Sequence, residues 1–172
     1  MPSGTNKTEI REVQFSNADL LPEIIRLIEE GHSVTLRLRG VSMRPFLEDN
    51  RDKALLTRSL SPKVGEPVLA ETAPRHYVLH RIVNIDGEDV TLLGDGNPIS
   101  YKEHCKLSDI KAHVEGFYRK GRTKMDRVDG WKWKTYSWLW MHMLPLRRYM
   151  LAVYRRLIRL ENYLNRRRNN RK

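Results

Sequence analysis

The sequence lacks the features that mark secreted and membrane-spanning proteins. Its 172 residues contain a single cysteine, Cys105, so the chain cannot form an internal disulfide and does not require an oxidising compartment. No stretch approaches the roughly 18 consecutive apolar residues of a membrane span. The polar residues 1–15 offer no apolar core of a secretion signal. These absences predict a cytoplasmic protein.

Motifs that hold common cofactors are missing as well. The sequence has no glycine-rich phosphate loop and no closely spaced cysteine pairs of the kind that bind zinc. No internal repeat or low-complexity segment is found either. We therefore expect neither a metal nor a cofactor.

Charge divides the chain into two unlike parts. Residues 1–118 contain 15 Lys and Arg against 18 Asp and Glu, whereas residues 119–172 contain 17 against 3. All four tryptophans also fall in the second part. The net charge of +11 therefore describes neither part, and the pattern predicts one near-neutral domain followed by a basic, aromatic tail.

Hydrophobic periodicity predicts a mainly β domain. We expect a flexible N-terminus at 1–16, an amphipathic helix at 17–31 and a β domain at 32–121, where short β-rich runs alternate with Pro, Gly and Asp clusters. One of these clusters, Asp86-Gly87, predicts a hairpin. Residues 122–172 form the tail, which begins with a linker at 122–134.

The tail is predicted to end in a basic amphipathic helix. One helical face carries apolar side chains and the opposite face carries arginines. The apolar face comprises Leu146, Met150, Val153, Leu157, Leu160 and Leu164, and the opposite face Arg148, Arg155 and Arg159.

Three partners fit such a helix. It can pack on the β domain with its arginines in water, lie in a membrane interface or contact nucleic acid. Trp, Tyr and Leu beside Arg and Lys favour an anionic membrane surface, bound through residues 131–172, over nucleic acid. The protein would then be peripheral on the cytoplasmic face of the membrane.

Three short sequence motifs follow one another in the β domain, and their order is part of the signal. They are GVSMRPFLEDNRD at 40–52, VLHRIV at 78–83 and LLGDGNP at 92–98. Together they resemble the serine peptidase superfamily of signal peptidases and LexA-type self-cleaving repressors. The second motif has a histidine at the position of the general base. In this it resembles the archaeal and endoplasmic-reticulum type of signal peptidase, which also has a histidine there. The resemblance covers residues 34–121 and implies a coiled β-sheet fold.

The resemblance implies a serine endopeptidase acting on a peptide or protein. Carried over by position, Ser42 is the nucleophile, His80 the general base and Asp95 the group that orients the imidazole. A weak serine nucleophile needs such a base, and a histidine supported by a carboxylate supplies it. The same comparison places three further residues at the oxyanion site and substrate cleft: Gly40, Met43 and Pro45.

Two positions depart from the superfamily pattern. Gly40 replaces a serine whose hydroxyl helps bind the oxyanion, and Arg51-Asp52 replaces a Gly-Asp turn. Each proposed site residue also has an ordinary structural interpretation, since serine and aspartate are frequent in turns. The alternative hypothesis is therefore a catalytically inactive member that binds peptide, membrane or nucleic acid.

Overall fold

A computed structural model describes residues 17–58, 61–143 and 146–169. Within these ranges the chain forms one antiparallel sheet of eight strands together with three α-helices. The mainly β class and the leading helix predicted from the sequence are confirmed. The predicted flexible segment at 1–16 lies outside the described residues, as do residues 170–172 at the end of the tail.

The elements follow one another along the chain with short connections. They are α1 (Asn17–Glu29), β1 (Val34–Arg37), β2 (Lys53–Thr57), β3 (Pro67–Ala73), β4 (His76–Asp86), β5 (Asp89–Leu93), β6 (Glu103–Lys106), β7 (Ile110–Tyr118), β8 (Asp126–Arg127), α2 (Trp131–His142) and α3 (Arg147–Asn169). A short 3-10 turn, Leu107–Asp109, joins β6 to β7.

The strand order in the sheet is β1-β2-β7-β3-β4-β5-β6, with β8 added beside β7. The predicted hairpin joins β4 to β5, where Asp86 pairs with Asp89 and Gly87 takes a φ of 56°. That left-handed conformation is the one that glycine adopts without strain. β1 and β6 end the strand order, and β4, β5 and β6 are consecutive neighbours.

α1 packs one face against the sheet. Its buried side chains recur at the spacing that the sequence predicted, and Ile28 is completely buried. Burying one such side chain is worth roughly 1.5–3 kcal/mol. The helix ends at Glu29, and the predicted last residue, Gly31, turns the chain with a φ of 95°.

The predicted linker at 122–134 contains regular structure. Asp126 and Arg127 form β8 by pairing with β7, and α2 begins at Trp131. The apolar side chains in this stretch explain the difference, because Val128 and Trp133 are both buried in the main core. The stretch therefore belongs to the folded domain.

α2 docks through an aromatic cluster. The ring of Trp133 lies 4.6 Å from Phe46 and 5.2 Å from Phe117, measured between ring centroids. Tyr136 stacks on Phe46 at 4.6 Å and on Trp140 at 5.7 Å. Because Phe46 follows the GVSMRP string directly, this cluster fixes the loop that carries Ser42 against α2.

α3 is docked by a face that the sequence did not predict. Arg147 and Leu151 are 2% and 4% exposed, whereas Leu157 and Leu160 on the predicted apolar face remain 59% and 58% exposed. The apolar face is therefore not the one that covers the β domain. In the described ranges of the chain, no helix combines the length and the apolar character needed to cross a membrane.

Candidate active site

Ser42 lies in the loop that joins β1 to β2. Gly40 begins the turn with a φ of 92°, as expected of a glycine that lets the backbone turn tightly, and its N–H donates to Asp49 Oδ1 at 2.7 Å. The Val41 carbonyl then accepts from the Arg44 N–H at 3.2 Å. Ser42 is half-buried, and no hydrogen bond of its hydroxyl is found among the described residues.

A small cavity of about 50 Å³ opens beside Ser42. Its walls are mainly apolar, and they include Leu38, Leu47 and Leu79. Met43, expected at the cleft, both lines this cavity and reaches the main core at 6% exposure. Pro45, also expected there, is half-buried and follows a cis peptide bond.

Asp52 anchors the far end of the same loop. It is completely buried and accepts hydrogen bonds from the Glu48 N–H, from the Lys120 N–H and from the Arg51 side chain. Burial raises the pKa of Asp52, but these donors together outweigh it and hold that pKa below its usual range. The Arg51-Asp52 departure therefore preserves a structural carboxylate.

His80 lies in the middle of β4 and is 4% exposed. Its Nδ1 atom lies 2.5 Å from Oε2 of Glu103, the first residue of β6. Because Glu103 holds Nδ1 as the donor, the Nε2 atom of a neutral ring is left as an acceptor. The histidine is thus oriented as a general base requires.

The Nε2 side of the ring faces Gly94, immediately after β5. A β-carbon built on Gly94 would lie 2.9 Å from His80 Nε2 and 2.6 Å from the Ser42 carbonyl oxygen. The Ser42 carbonyl also accepts from the Gly96 N–H at 2.6 Å. Three separate segments therefore meet at this glycine, and the missing side chain leaves the space in which they meet.

Asp95 is placed next to these groups in a role other than the one predicted. Its carboxylate accepts from Arg81 at 2.9 Å and 2.6 Å, and from the Tyr136 hydroxyl at 3.0 Å. Both Asp95 and Arg81 are almost completely buried. The expectation that Asp95 orients His80 is therefore corrected, because the carboxylate hydrogen-bonded to the imidazole belongs to Glu103.

Strand geometry explains this exchange of roles. Consecutive side chains of a strand point to opposite faces of the sheet, so His80 and Arg81 diverge. Arg81 points towards α2, where it also donates to the Ser137 hydroxyl at 2.5 Å and stacks 4.7 Å from the Trp133 ring centroid. Asp95 neutralises this buried guanidinium, which would otherwise be an uncompensated charge.

Two opposing effects set the basicity of His80. Burial lowers its pKa and is the larger effect, while the neighbouring Glu103 and, more weakly, Asp95 raise it. The net result is a pKa below the ordinary value of 6.5. The ring is therefore neutral at pH 7 and able to accept a proton.

The tail completes the turn that faces Ser42 and His80. Arg147, from the first turn of α3, donates to the carbonyl oxygens of Asp95 at 3.0 Å and of Gly94. Arg155 donates to the Gly96 carbonyl at 3.3 Å. Burial lowers the pKa of Arg147 from its usual value, but an arginine stays charged under all ordinary conditions. The basic tail therefore holds the 94–96 turn.

An oxyanion would have one evident backbone donor. The N–H of Ser42 donates to no backbone carbonyl among the described residues, whereas the N–H of Gly40 is already bonded to Asp49. The hydroxyl that a serine would supply at position 40 is absent. The Ser42 amide is therefore available for this role.

Other chemistry has less support in the described ranges. No group of three or more His, Cys, Asp or Glu side chains is placed there to hold a metal ion. The thiol of Cys105 is half-buried, and burial raises its pKa to about 11, so it is not an activated nucleophile.

No family model matches this chain, and no curated protein matches it.

Proposed function

We propose that the protein is a serine endopeptidase in which Ser42, His80 and Glu103 form the catalytic triad. The observation that carries this proposal is the pair of His80 contacts: Glu103 at Nδ1, and, at Nε2, Gly94, which the Ser42 carbonyl oxygen also approaches closely. The resemblance to signal peptidases and LexA-type proteins supports the same chemistry. Asp95 then acts as a structural residue that holds Arg81.

The reaction would be an acyl transfer in two halves. The Ser42 oxygen attacks the scissile carbonyl carbon while its proton passes to His80 Nε2, and the developing oxyanion accepts from the Ser42 N–H. His80 then donates this proton to the leaving amine, whose bond to the carbonyl carbon breaks. Water, deprotonated by His80, then attacks the resulting ester, and His80 returns the proton to the Ser42 oxygen as its bond to the carbonyl carbon breaks. Glu103 stabilises the imidazolium throughout.

No hydrogen bond joins Ser42 to His80 among the described residues. Catalytic hydrogen bonds often tighten only when a substrate is bound. We therefore expect the Ser42 hydroxyl to meet His80 Nε2 only when a substrate is bound beside Ser42.

The surroundings of Ser42 suit an extended peptide. β1 ends the strand order of the sheet and leads directly into the loop that lines the cavity beside Ser42. A peptide added along β1 would extend the sheet by one strand through backbone hydrogen bonds. A cavity of about 50 Å³, lined by three leucines together with Arg39 and Glu48, fits a small side chain next to the scissile bond.

The test is cleavage of a diverse peptide library, with new termini identified by mass spectrometry. Wild-type protein should produce new termini that Ser42→Ala and His80→Ala do not. Two matched controls should cleave like wild type: Ser100→Ala, an exposed serine, and His76→Ala, an exposed histidine on the same strand as His80. Cleavage that persists in Ser42→Ala would refute the assignment.

A peptide-binding module without catalysis is the second candidate. The hydrogen bond from the Gly40 N–H to Asp49 favours this candidate. It occupies one amide that could otherwise bind an oxyanion, and the hydroxyl that a serine would supply at position 40 is also absent. This hypothesis predicts that Ser42→Ala retains peptides from the same library as well as wild type does, with no new termini from either protein.

A further inference from the structure

We propose that the exposed apolar stripe of α3 docks on the surface of an anionic lipid bilayer and thereby holds the candidate active site at that surface. The stripe comprises six residues: Leu146, Tyr149, Val153, Leu157, Leu160 and Leu164. The second half of this statement depends on the proposed function, whereas the first does not.

The stripe is continuous along the helix. Its members are three or four residues apart, and at about 100° per residue this spacing keeps them on one side of an α-helix. All six are between 53% and 59% exposed. A run of apolar side chains of this length in water is typical of a surface that binds a partner.

The packing of α3 on the domain does not account for the stripe. Side chains that touch the domain include those of Arg147, Leu151 and Arg155, which lie on a different side of the helix from the stripe. A residue that follows Leu146 by one position is rotated by about 100°. The helix therefore has one face for the domain and a second apolar face with no partner among the described residues.

The charge of α3 decides which partner fits. Its sequence holds eight arginines and one glutamate. Arg156 and Arg167 lie close to the edge of the stripe on the helix, and both are exposed. A bilayer with anionic headgroups would bury the leucines and neutralise the arginines together.

A second copy of the chain and a nucleic acid fit less well. Two identical helices joined through the stripe would bring arginines of like charge together with a single glutamate on each side. A nucleic acid would pair with the arginines but would leave Leu157 and Leu160 in water, since phosphates and sugars offer them no apolar contact.

Exposed aromatic residues on α3 and α2 strengthen the choice of a bilayer. Tyr149 within the stripe and Tyr163 beside it are 57% and 53% exposed. On α2, Trp131 and Trp138 are 74% and 62% exposed. Exposed tyrosine and tryptophan prefer the headgroup region of a membrane, where the ring is shielded and the polar atom stays hydrated.

The stripe and the candidate site share the first turn of α3. Leu146 and Tyr149 belong to the stripe, and between them Arg147 donates to the carbonyl oxygens of Gly94 and Asp95. The 94–96 turn, in its turn, contacts Ser42 and His80. A peptidase docked in this way would act on peptides that are themselves at the membrane.

The test measures sedimentation of full-length Ser42→Ala protein with vesicles, so that no activity is needed. We expect binding to vesicles of phosphatidylcholine with one-third phosphatidylglycerol, and much weaker binding to phosphatidylcholine alone. Leu157→Asp is compared with Ala152→Asp, which makes the same change of charge at an exposed position outside the stripe. Leu157→Asp should bind about tenfold more weakly than Ala152→Asp.

Three results would overturn the proposal. One is equal vesicle binding by the two variants. Another is a wild-type dimer in sedimentation equilibrium that Leu157→Asp dissociates, without vesicle binding. The third is tight, salt-sensitive binding to a DNA or RNA oligonucleotide with no binding to the anionic vesicles. A loss of peptide cleavage in the library assay would affect the proposed function alone.

Discussion

The imidazole of His80 and the carboxylate of Glu103 are joined at 2.5 Å across β5, although 23 residues separate them in the sequence. Neither residue is in the same strand as the other, and β5 lies between their strands. The pair gives the buried ring a fixed tautomer and a counter-charge on the side away from Ser42.

Glu103→Gln should lower the rate of cleavage by about 10²–10⁴-fold. The amide can hold the ring in place but supplies no charge to stabilise the imidazolium, and it can also select the wrong tautomer. The measurement is kcat/KM on a peptide identified in the library assay, at neutral pH. Glu88→Gln, on an exposed turn, is the matched control and should behave as wild type. Unchanged cleavage by Glu103→Gln would rule out its role in the triad.

The pH profile of cleavage should have its acid limb below pH 6.5. Burial lowers the pKa of His80 more than Glu103 raises it, so the ring stays neutral and basic throughout the neutral range. In Glu103→Gln the limb should move to still lower pH, because the group that raises this pKa has been removed. Measuring kcat/KM from pH 4.5 to 8 would reveal both. A limb above pH 7 would contradict the assignment.

The same shift predicts how stability depends on pH. The pKa of His80 is lower in the folded than in the unfolded chain, so the unfolded chain takes up the proton first as the pH falls. The contribution of His80 to the free energy of unfolding is therefore complete above about pH 6.5. It decreases as the pH falls towards the pKa of His80 in the folded chain. His80→Gln should lack this decrease in urea unfolding measured between pH 7 and 5.

Asp95→Asn should destabilise the fold by about 3–5 kcal/mol, because it leaves the buried guanidinium of Arg81 without a counter-charge. The measurement is urea unfolding at pH 7. Replacing both partners, with Arg81→Met and Asp95→Leu, should restore much of the loss, since no unpaired charge is then buried. A folded, fully stable Asp95→Asn protein with cleavage abolished would instead return Asp95 to the triad.

Gly94→Ala should abolish most cleavage. The new methyl group would lie 2.6 Å from the Ser42 carbonyl oxygen and 2.9 Å from His80 Nε2, so it would push the two segments apart. Overpacking of this kind also destabilises a protein, typically by about 1–3 kcal/mol. Cleavage should therefore be measured well below the melting temperature of the variant.

The control for this change is Gly87→Ala. A methyl group there meets no atom within 4 Å, so the substitution adds backbone strain at a φ of 56° without crowding the site. Its cleavage rate should equal that of wild type. Equal rates for wild type and Gly94→Ala would show that the close approach of the Ser42 and His80 segments at Gly94 is not needed for cleavage.

Local patterns predicted the elements of this fold well. The alternation of apolar residues predicted a mainly β chain, and the spacing in α1 predicted the face that is buried. Both signals act within a few residues, where side-chain direction is fixed by the backbone. The stretch at 122–134 was misjudged because β8 exists only by pairing with β7, which is a long-range contact.

Residues of the candidate site could be predicted only where a recognisable sequence motif surrounds them. Ser42 and His80 stand in recognisable strings, but Glu103 is brought to His80 by the pairing of β6 with β5 and of β5 with β4. Nothing near Glu103 in the sequence indicates that register. Arg147 was missed for a related reason: a charged residue at the start of a basic helix is usually in water, and its burial depends on the carbonyl groups of a turn 52 residues earlier.

That separation has a consequence for how the protein is made. A ribosome adds about 5–20 residues per second, so the 94–96 turn exists for roughly 3–10 s before Arg147 has even been joined to the chain. The sheet is therefore synthesised before the arginine that holds its 94–96 turn. If the proposed function is right, peptide cleavage should appear only after α3 has been synthesised and docked.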